Sequence, residues 1–145
     1  MKLVVDANVV LSSLLTKGDS SKVFELNSAF NKFDFVAPDF LLIELEKHKR
    51  EFFERSKLTE EEFEEAVEFI LEQITIVSKS EFSEYVPEAK KLLSEHLKDV
   101  QYLALSLELN CPIFSGDKVL KSLLSKTSVE ILSPKEMLSK FDTAM

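Results

Sequence analysis

Apolar residues recur along this chain in two rhythms. Leu3-Val4-Val5, Phe33-Asp34-Phe35-Val36-Ala37, Ile74-Thr75-Ile76-Val77, Pro112-Ile113-Phe114-Ser115 and Val129-Glu130-Ile131-Leu132 are short runs rich in β-branched and aromatic residues. Runs of that length and content predict strands, and the unbroken ones predict strands buried on both faces of a parallel sheet. Between them the apolar positions recur at helical spacing. Val9 to Leu15 reads as a short helix stopped by Lys17-Gly18, with glycine in the usual terminating place. Asp19-Ser20-Ser21 can cap a second helix that turns Val23, Phe24, Leu26 and Phe30 inward. Pro38 suits the first turn of a third, which runs through Phe40-Leu41-Leu42-Ile43 towards Arg55. Thr59-Glu60-Glu61-Glu62 has the form of a capping box and opens a helix with Phe63, Val67, Ile70 and Leu71 on one side. Pro87, Asp99, Lys118 and Pro134 start the remaining helical segments. Five strands alternating with helices predict an α/β fold, one three-layer α/β/α domain over residues 1–145 with a mostly parallel sheet.

Several strands end near a carboxylate. Leu3-Val4-Val5 stops on Asp6, and Ile113-Phe114 is followed by Ser115-Gly116-Asp117. The C-terminal ends of parallel strands face the crevice in which open α/β sheets bind ligands, so neighbouring first and fourth strands would aim Asp6 and Asp117 into one place. A plainer role is open to each, since Asp is a good helix N-cap. Asp99 opens a helix three and four residues before Tyr102 and Leu103, at the end of an apolar stripe. Glu44 lies about 40° from Phe40 and about 60° from Leu41 around its helix, and so shares their stripe. A carboxylate there is costly unless it is paired, bound to a cation or able to reach water.

Composition narrows the chemistry. The chain has 26 acidic and 18 basic residues, a net charge of −8. That argues against a protein that coats nucleic acid by neutralising phosphates. It leaves room for an enzyme that meets phosphates through bound cations. Cys111 is the one cysteine, so neither an internal disulfide nor a thiolate zinc cluster is expected. Asp6 and Asn8 interrupt what would be a signal-peptide core, and no apolar run approaches the roughly 20 residues that span a bilayer. A cytoplasmic protein without a membrane segment is expected.

Four carboxylates brought together without evident Lys or Arg partners would raise one another's pKa. A hard divalent cation, Mg2+ or Mn2+, removes that conflict, and one or two such ions can generate hydroxide and brace an in-line phosphoryl displacement. Phosphodiester hydrolysis is the reaction suggested.

Val4-Val5-Asp6-Ala7-Asn8-Val9, Leu42-Ile43-Glu44-Leu45, Lys98-Asp99-Val100-Gln101 and Ile113-Phe114-Ser115-Gly116-Asp117, in that order, resemble the PIN-domain nucleases over residues 1 to about 135. The resemblance implies a five-stranded parallel sheet in order 3-2-1-4-5 and a Mg2+- or Mn2+-dependent ribonuclease acting on RNA. By the same carry-over Asp6, Glu44, Asp99 and Asp117 are the catalytic and metal-binding acids, with Asn8 and Ser115 in support. In size the chain is similar to VapC-type toxins of toxin–antitoxin pairs, which implies a homodimer and an antitoxin partner. Free-standing prokaryotic PIN proteins have the same length and pattern.

Lys47, Lys49, Arg50 and Lys118 are candidate contacts for RNA phosphates. The plainer reading of Lys47-His48-Lys49-Arg50 is a solvated helix face. His48 and His96 are not read as metal ligands. Phe52, Phe53 and Phe69 could form a dimer surface, and Cys111 is expected to be a small buried apolar residue. A dinucleotide-binding fold needs a glycine-rich turn, and this chain has only Gly18 and Gly116. An aspartyl phosphatase usually has a second Asp where Asn8 stands. The remaining rival is a catalytically inactive PIN-like scaffold that binds RNA or protein.

Overall fold

The computed structural model describes residues 1–15 and 17–142. Five strands form one parallel sheet: β1 (Lys2–Val5), β2 (Asp34–Pro38), β3 (Ile74–Val77), β4 (Ile113–Phe114) and β5 (Ile131–Leu132). Their order is β3-β2-β1-β4-β5, as the family resemblance implied. Leu3, Val4 and Val5 are each fully buried. Successive side chains of a strand point to opposite faces, so both faces of the sheet are covered at its centre.

The helices are α1 (Ala7–Ser13), α2 (Asp19–Phe30), α3 (Phe40–Ser56), α4 (Glu60–Leu71), α5 (Val86–Leu93), α6 (Val100–Leu109), α7 (Lys118–Leu124) and α8 (Pro134–Asp142). α2 packs on α1 and α8, while α6 lies over β1 and β2 and against α5. An aromatic seam ties α2 to the sheet: Phe24 meets Phe35 edge-on with ring centroids 5.4 Å apart, and Phe35 stacks on Phe114 at 5.9 Å. Phe33 meets Phe141 of α8 at 5.1 Å. Such pairs add specificity to the apolar area that they bury.

The capping box forms as expected. Thr59 Oγ1 accepts from the Glu62 N–H, and Glu62 Oε1 accepts from the Thr59 N–H. Three local expectations are corrected. Gly18 does not stop α1, which ends at Ser13; it is the N-cap of α2, with no side chain to offer. Pro38 is not in the first turn of α3 but is the last residue of β2, opposite Val77. Pairing of β2 with β1 has ended at Val36, so the missing N–H costs no ladder bond on that side. Cys111 is only half-buried.

Candidate active site

Asp6 and Asp117 follow the two strands between which the chain order reverses, and the backbone links them. The Asp6 N–H donates to the Phe114 carbonyl at 3.1 Å, carrying the sheet one residue past β1. Ser115, buried just beyond β4, donates its hydroxyl to Asp6 Oδ2 at 2.7 Å and accepts the Asp117 N–H at 3.1 Å. One hydroxyl thus fixes the orientation of one carboxylate and the turn that carries the other. Both aspartates are also N-caps, so the plainer role is real. Asp6 Oδ1 accepts from the Asn8 N–H, and Asp117 Oδ1 accepts from Val119 and Leu120. For Asp117 the second oxygen accepts no hydrogen bond among the described residues.

Asp99 behaves differently. It ends the short 3-10 turn Leu97–Asp99 at the start of α6, is buried, and makes no side-chain cap. No buried side-chain oxygen among the described residues lacks a partner, so the Asp99 carboxylate opens onto the solvent of a cavity and is not sealed in the core. Glu44 comes from α3, and Tyr102 on α6 donates its hydroxyl to Glu44 Oε1. Tyr102 is itself buried in the core and is met edge-on by Phe40. The apolar stripe around Glu44 therefore hides a polar partner that arrives from another helix.

Asp6, Glu44, Asp99 and Asp117 all line one cavity of about 290 Å3, together with Asn8, His48, Glu51, Phe52 and Lys98. Burial, above all, pushes the Asp6 carboxyl up, against the Ser115 and Asn8 hydrogen bonds. Burial likewise raises Glu44, with the Asp6 charge adding to it and the Tyr102 hydroxyl opposing. Asp99 is pushed up to about 6 by burial first and the Asp6 charge second. Lys98 offsets part of this for all three.

The expectation that the acids have no evident Lys or Arg partners is thus corrected by Lys98, and His48 faces them too. Lys98 stands beside Asp99 in the quoted motif, but nothing in the local pattern said which way it faced. Glu51, which the sequence pattern did not single out, also joins the cavity and lies 3.7 Å from His48 Nδ1. Among the RNA-contact candidates, Lys49 pairs with Glu64 at 2.8 Å and Arg50 with Glu54 at 3.3 Å. Both line a separate hollow between α3 and α4. Lys47 and Lys118 are exposed. Asn8 reaches Asp6 through its backbone N–H. Phe52 is half-buried under the Arg55 guanidinium and Phe53 packs on Phe63, so of the three proposed dimer phenylalanines Phe69 alone is exposed.

The donor set suits a hard cation: carboxylate oxygens that raise one another's pKa around one cavity, with a single lysine in compensation. Among the described residues no three carboxyl, imidazole or thiol groups form a ready chelate. That arrangement is compatible with Mg2+, which is usually held by one or two carboxylates and keeps several waters.

The model of the PIN domain matches residues 4–137. The chain belongs to the PIN-domain family. PIN domains are in general nucleases and generally use divalent metal ions. Among solved structures, this PIN domain is similar to a chain of VapBC2 from Rickettsia felis, determined bound to a DNA fragment from their promoter. The TM-score is 0.69 at 14% identity, over 92% of this chain and 98% of that one, a likeness of fold. Comparison with curated proteins gives no match. No helix among the described residues is long and apolar enough to cross a membrane.

Proposed function

We propose that this PIN domain is a Mg2+- or Mn2+-dependent ribonuclease that hydrolyses phosphodiester bonds of RNA. The observation that carries the reading is the convergence of Asp6, Glu44, Asp99 and Asp117, from four distant stretches of chain, on one cavity at the strand ends. These four are the residues we assign to hold the ion. When bound, it would supply charge neutralisation and activate water for attack on phosphorus.

The protein's own part is orientation. The Ser115 hydroxyl holds Asp6 Oδ2 and the Tyr102 hydroxyl holds Glu44 Oε1, so two of the four acids meet a ligand already positioned. Asp99, whose carboxylate accepts no hydrogen bond among the described residues, can adjust to what it binds. Lys98 leaves a positive charge at the cavity where a substrate phosphate would arrive. Asn in place of Asp6 removes the charge and keeps one oxygen for the Asn8 N–H, while its NH2 group can donate to the Ser115 hydroxyl in place of the bond that Ser115 now donates. Asp6→Asn therefore abolishes cleavage in a protein that still folds.

Similarity in length and fold to a chain of VapBC2 supports a role as the toxin of a toxin–antitoxin pair, acting in the cytoplasm as a homodimer with an antitoxin partner. The exposed apolar side chains Leu42 and Ile43 on α3 offer such a partner a surface. The test is cleavage of a fluorophore-labelled single-stranded RNA with Mn2+, with EDTA and Asp99→Asn as controls. Metal-dependent cleavage lost in the variant supports the nuclease. No cleavage, together with no rise in melting temperature on adding Mn2+, overturns it in favour of an inactive scaffold.

A further inference from the structure

Next to the acidic cavity lies a larger one of about 680 Å3, and Asp117 lines both. Ser115, whose hydroxyl joins Asp6 to the Asp117 turn, is in the wall of the larger cavity too. The chemistry changes across that shared wall. Lys118 and Lys121 of α7 and Lys135 of α8 surround the second cavity, in a chain whose net charge is −8. Lys121 is engaged, with Nζ 2.7 Å from Glu136 Oε1. Lys118 and Lys135 are exposed and make no ion pair among the described residues.

Ser12, Ser20 and Ser133 also line it, the Ser12 hydroxyl being donated to the Val9 carbonyl, and Asp19 is the one acid there besides Asp117. No Leu, Ile, Val, Met or aromatic side chain lines it, and the apolar part of its wall comes from Pro134 and the aliphatic portions of the polar residues. Its volume is in the range of small-molecule sites and large enough for a nucleotide. Unpaired ammonium groups and hydroxyls are the donors that a sugar–phosphate backbone needs.

We propose that this cavity holds the ribose-phosphate of a nucleotide flanking the bond to be cut, so that an RNA strand passes from the lysines over Asp117 into the acidic cavity. The proposal rests on the ribonuclease reading and adds to it the path of the substrate. Lys118 and Lys135 neutralise the flanking phosphate. The acidic cavity, which would repel phosphates in the absence of a cation, receives only the scissile one.

The experiment measures binding of a labelled single-stranded RNA by fluorescence anisotropy in EDTA over a range of salt. Wild type is compared with Lys118→Glu/Lys135→Glu and with the neutral Lys118→Gln/Lys135→Gln. Affinity falls by about tenfold or more in the Glu variant, and the salt slope drops by about 1.4 in the Gln variant, as expected for two phosphate contacts on a single strand, and by at least as much in the Glu variant. The rise in melting temperature with Mn2+ is retained, and KM increases by more than kcat falls. Lys2→Glu/Lys32→Glu, at the opposite end of the strands, binds as wild type. Unchanged affinity and slope in the cavity variants, with wild type binding RNA, overturn the cavity and leave the nuclease standing; so does an equal loss in the control pair. A wild type that neither binds nor cleaves RNA overturns both.

Discussion

Tyr102 is the residue in which packing and chemistry meet most directly. Its ring belongs to the core, and among the described residues its hydroxyl is satisfied only by Glu44, 58 positions away. Tyr102→Phe keeps the ring and frees Glu44 to leave its orientation. Mn2+ affinity, read by calorimetry, should weaken by about tenfold, within the range for residues that orient metal ligands, at a stability cost of about 1 kcal/mol. An equal loss of stability with unchanged affinity would reduce Tyr102 to a packing residue. Ser115→Ala removes the one side-chain donor to a buried carboxylate. It should destabilise the metal-free protein at neutral pH by about 1–3 kcal/mol, measured by urea unfolding, and push the Asp6 pKa further up. Tyr102 could not be read from the chain, because a Tyr in a helical apolar stripe reads as core; Ser115 was picked out as a supporting residue by the family resemblance alone, and its bond to Asp6, across 109 positions, was not. Asp6, Glu44, Asp99 and Asp117 were legible because each sits where local pattern makes a carboxylate conspicuous, at a strand end or within an apolar stripe.

At the scale of elements, local chemistry and tertiary placement separate cleanly. The Thr59/Glu62 box lies at the start of α4 and does not line the acidic cavity. Thr59→Ala should cost about 1 kcal/mol in thermal unfolding and leave Mn2+ binding unaltered. The junction of α2 with β2 is built differently. The buried Asn27 side chain accepts the Phe33 N–H at 2.7 Å and donates to the Phe33 carbonyl at 3.1 Å, while Asn31 takes the left-handed conformation with φ of 50°. Asn27→Leu strands that backbone N–H and carbonyl and should cost more than the cap, about 2–3 kcal/mol by the same measurement. Strand positions were legible to within a residue or two because their apolar content is local. The misreadings of Gly18 and Pro38 have one cause: each residue type suits two neighbouring places, and the packing of α1 on α2 and the pairing of β2 with β3 choose between them.

For the whole molecule, the acidic cavity makes metal-free stability depend on pH in a definite direction. The folded protein holds the Asp99 proton with a pKa of about 6 against 3.8 for the free side chain, and burial raises Asp6 and Glu44 too. Between those values the native state binds more protons than the unfolded chain, so stability rises as pH falls. The melting temperature in EDTA should therefore increase from about pH 7 to about pH 5, and Asp99→Asn should flatten that rise. For Asp99 alone the gain is on the order of 1 kcal/mol once solvent in the open cavity is allowed for. Mn2+ should reverse the trend, because the ion competes with protons for the same oxygens. A profile in EDTA that falls over the same interval would show the acids to be paired by groups other than a cation.

The sequence alone determined the alternation of strands and helices, the sheet order through its resemblance to PIN domains, and which carboxylates stand out. These follow from neighbours along the chain, because hydrophobic period and capping act over a few residues. The tertiary structure decided what those carboxylates face. It brought Ser115 to Asp6 and Tyr102 to Glu44, turned Lys98 towards the acids, and drew Lys49 and Arg50 away to Glu64 and Glu54. It also set Lys118 and Lys135, from different helices, around a cavity that shares Asp117 with the acidic one. The reason is geometric. A side chain's direction is fixed by how helices pack on a twisted sheet, and that packing is a property of the whole core, which no short stretch of chain contains.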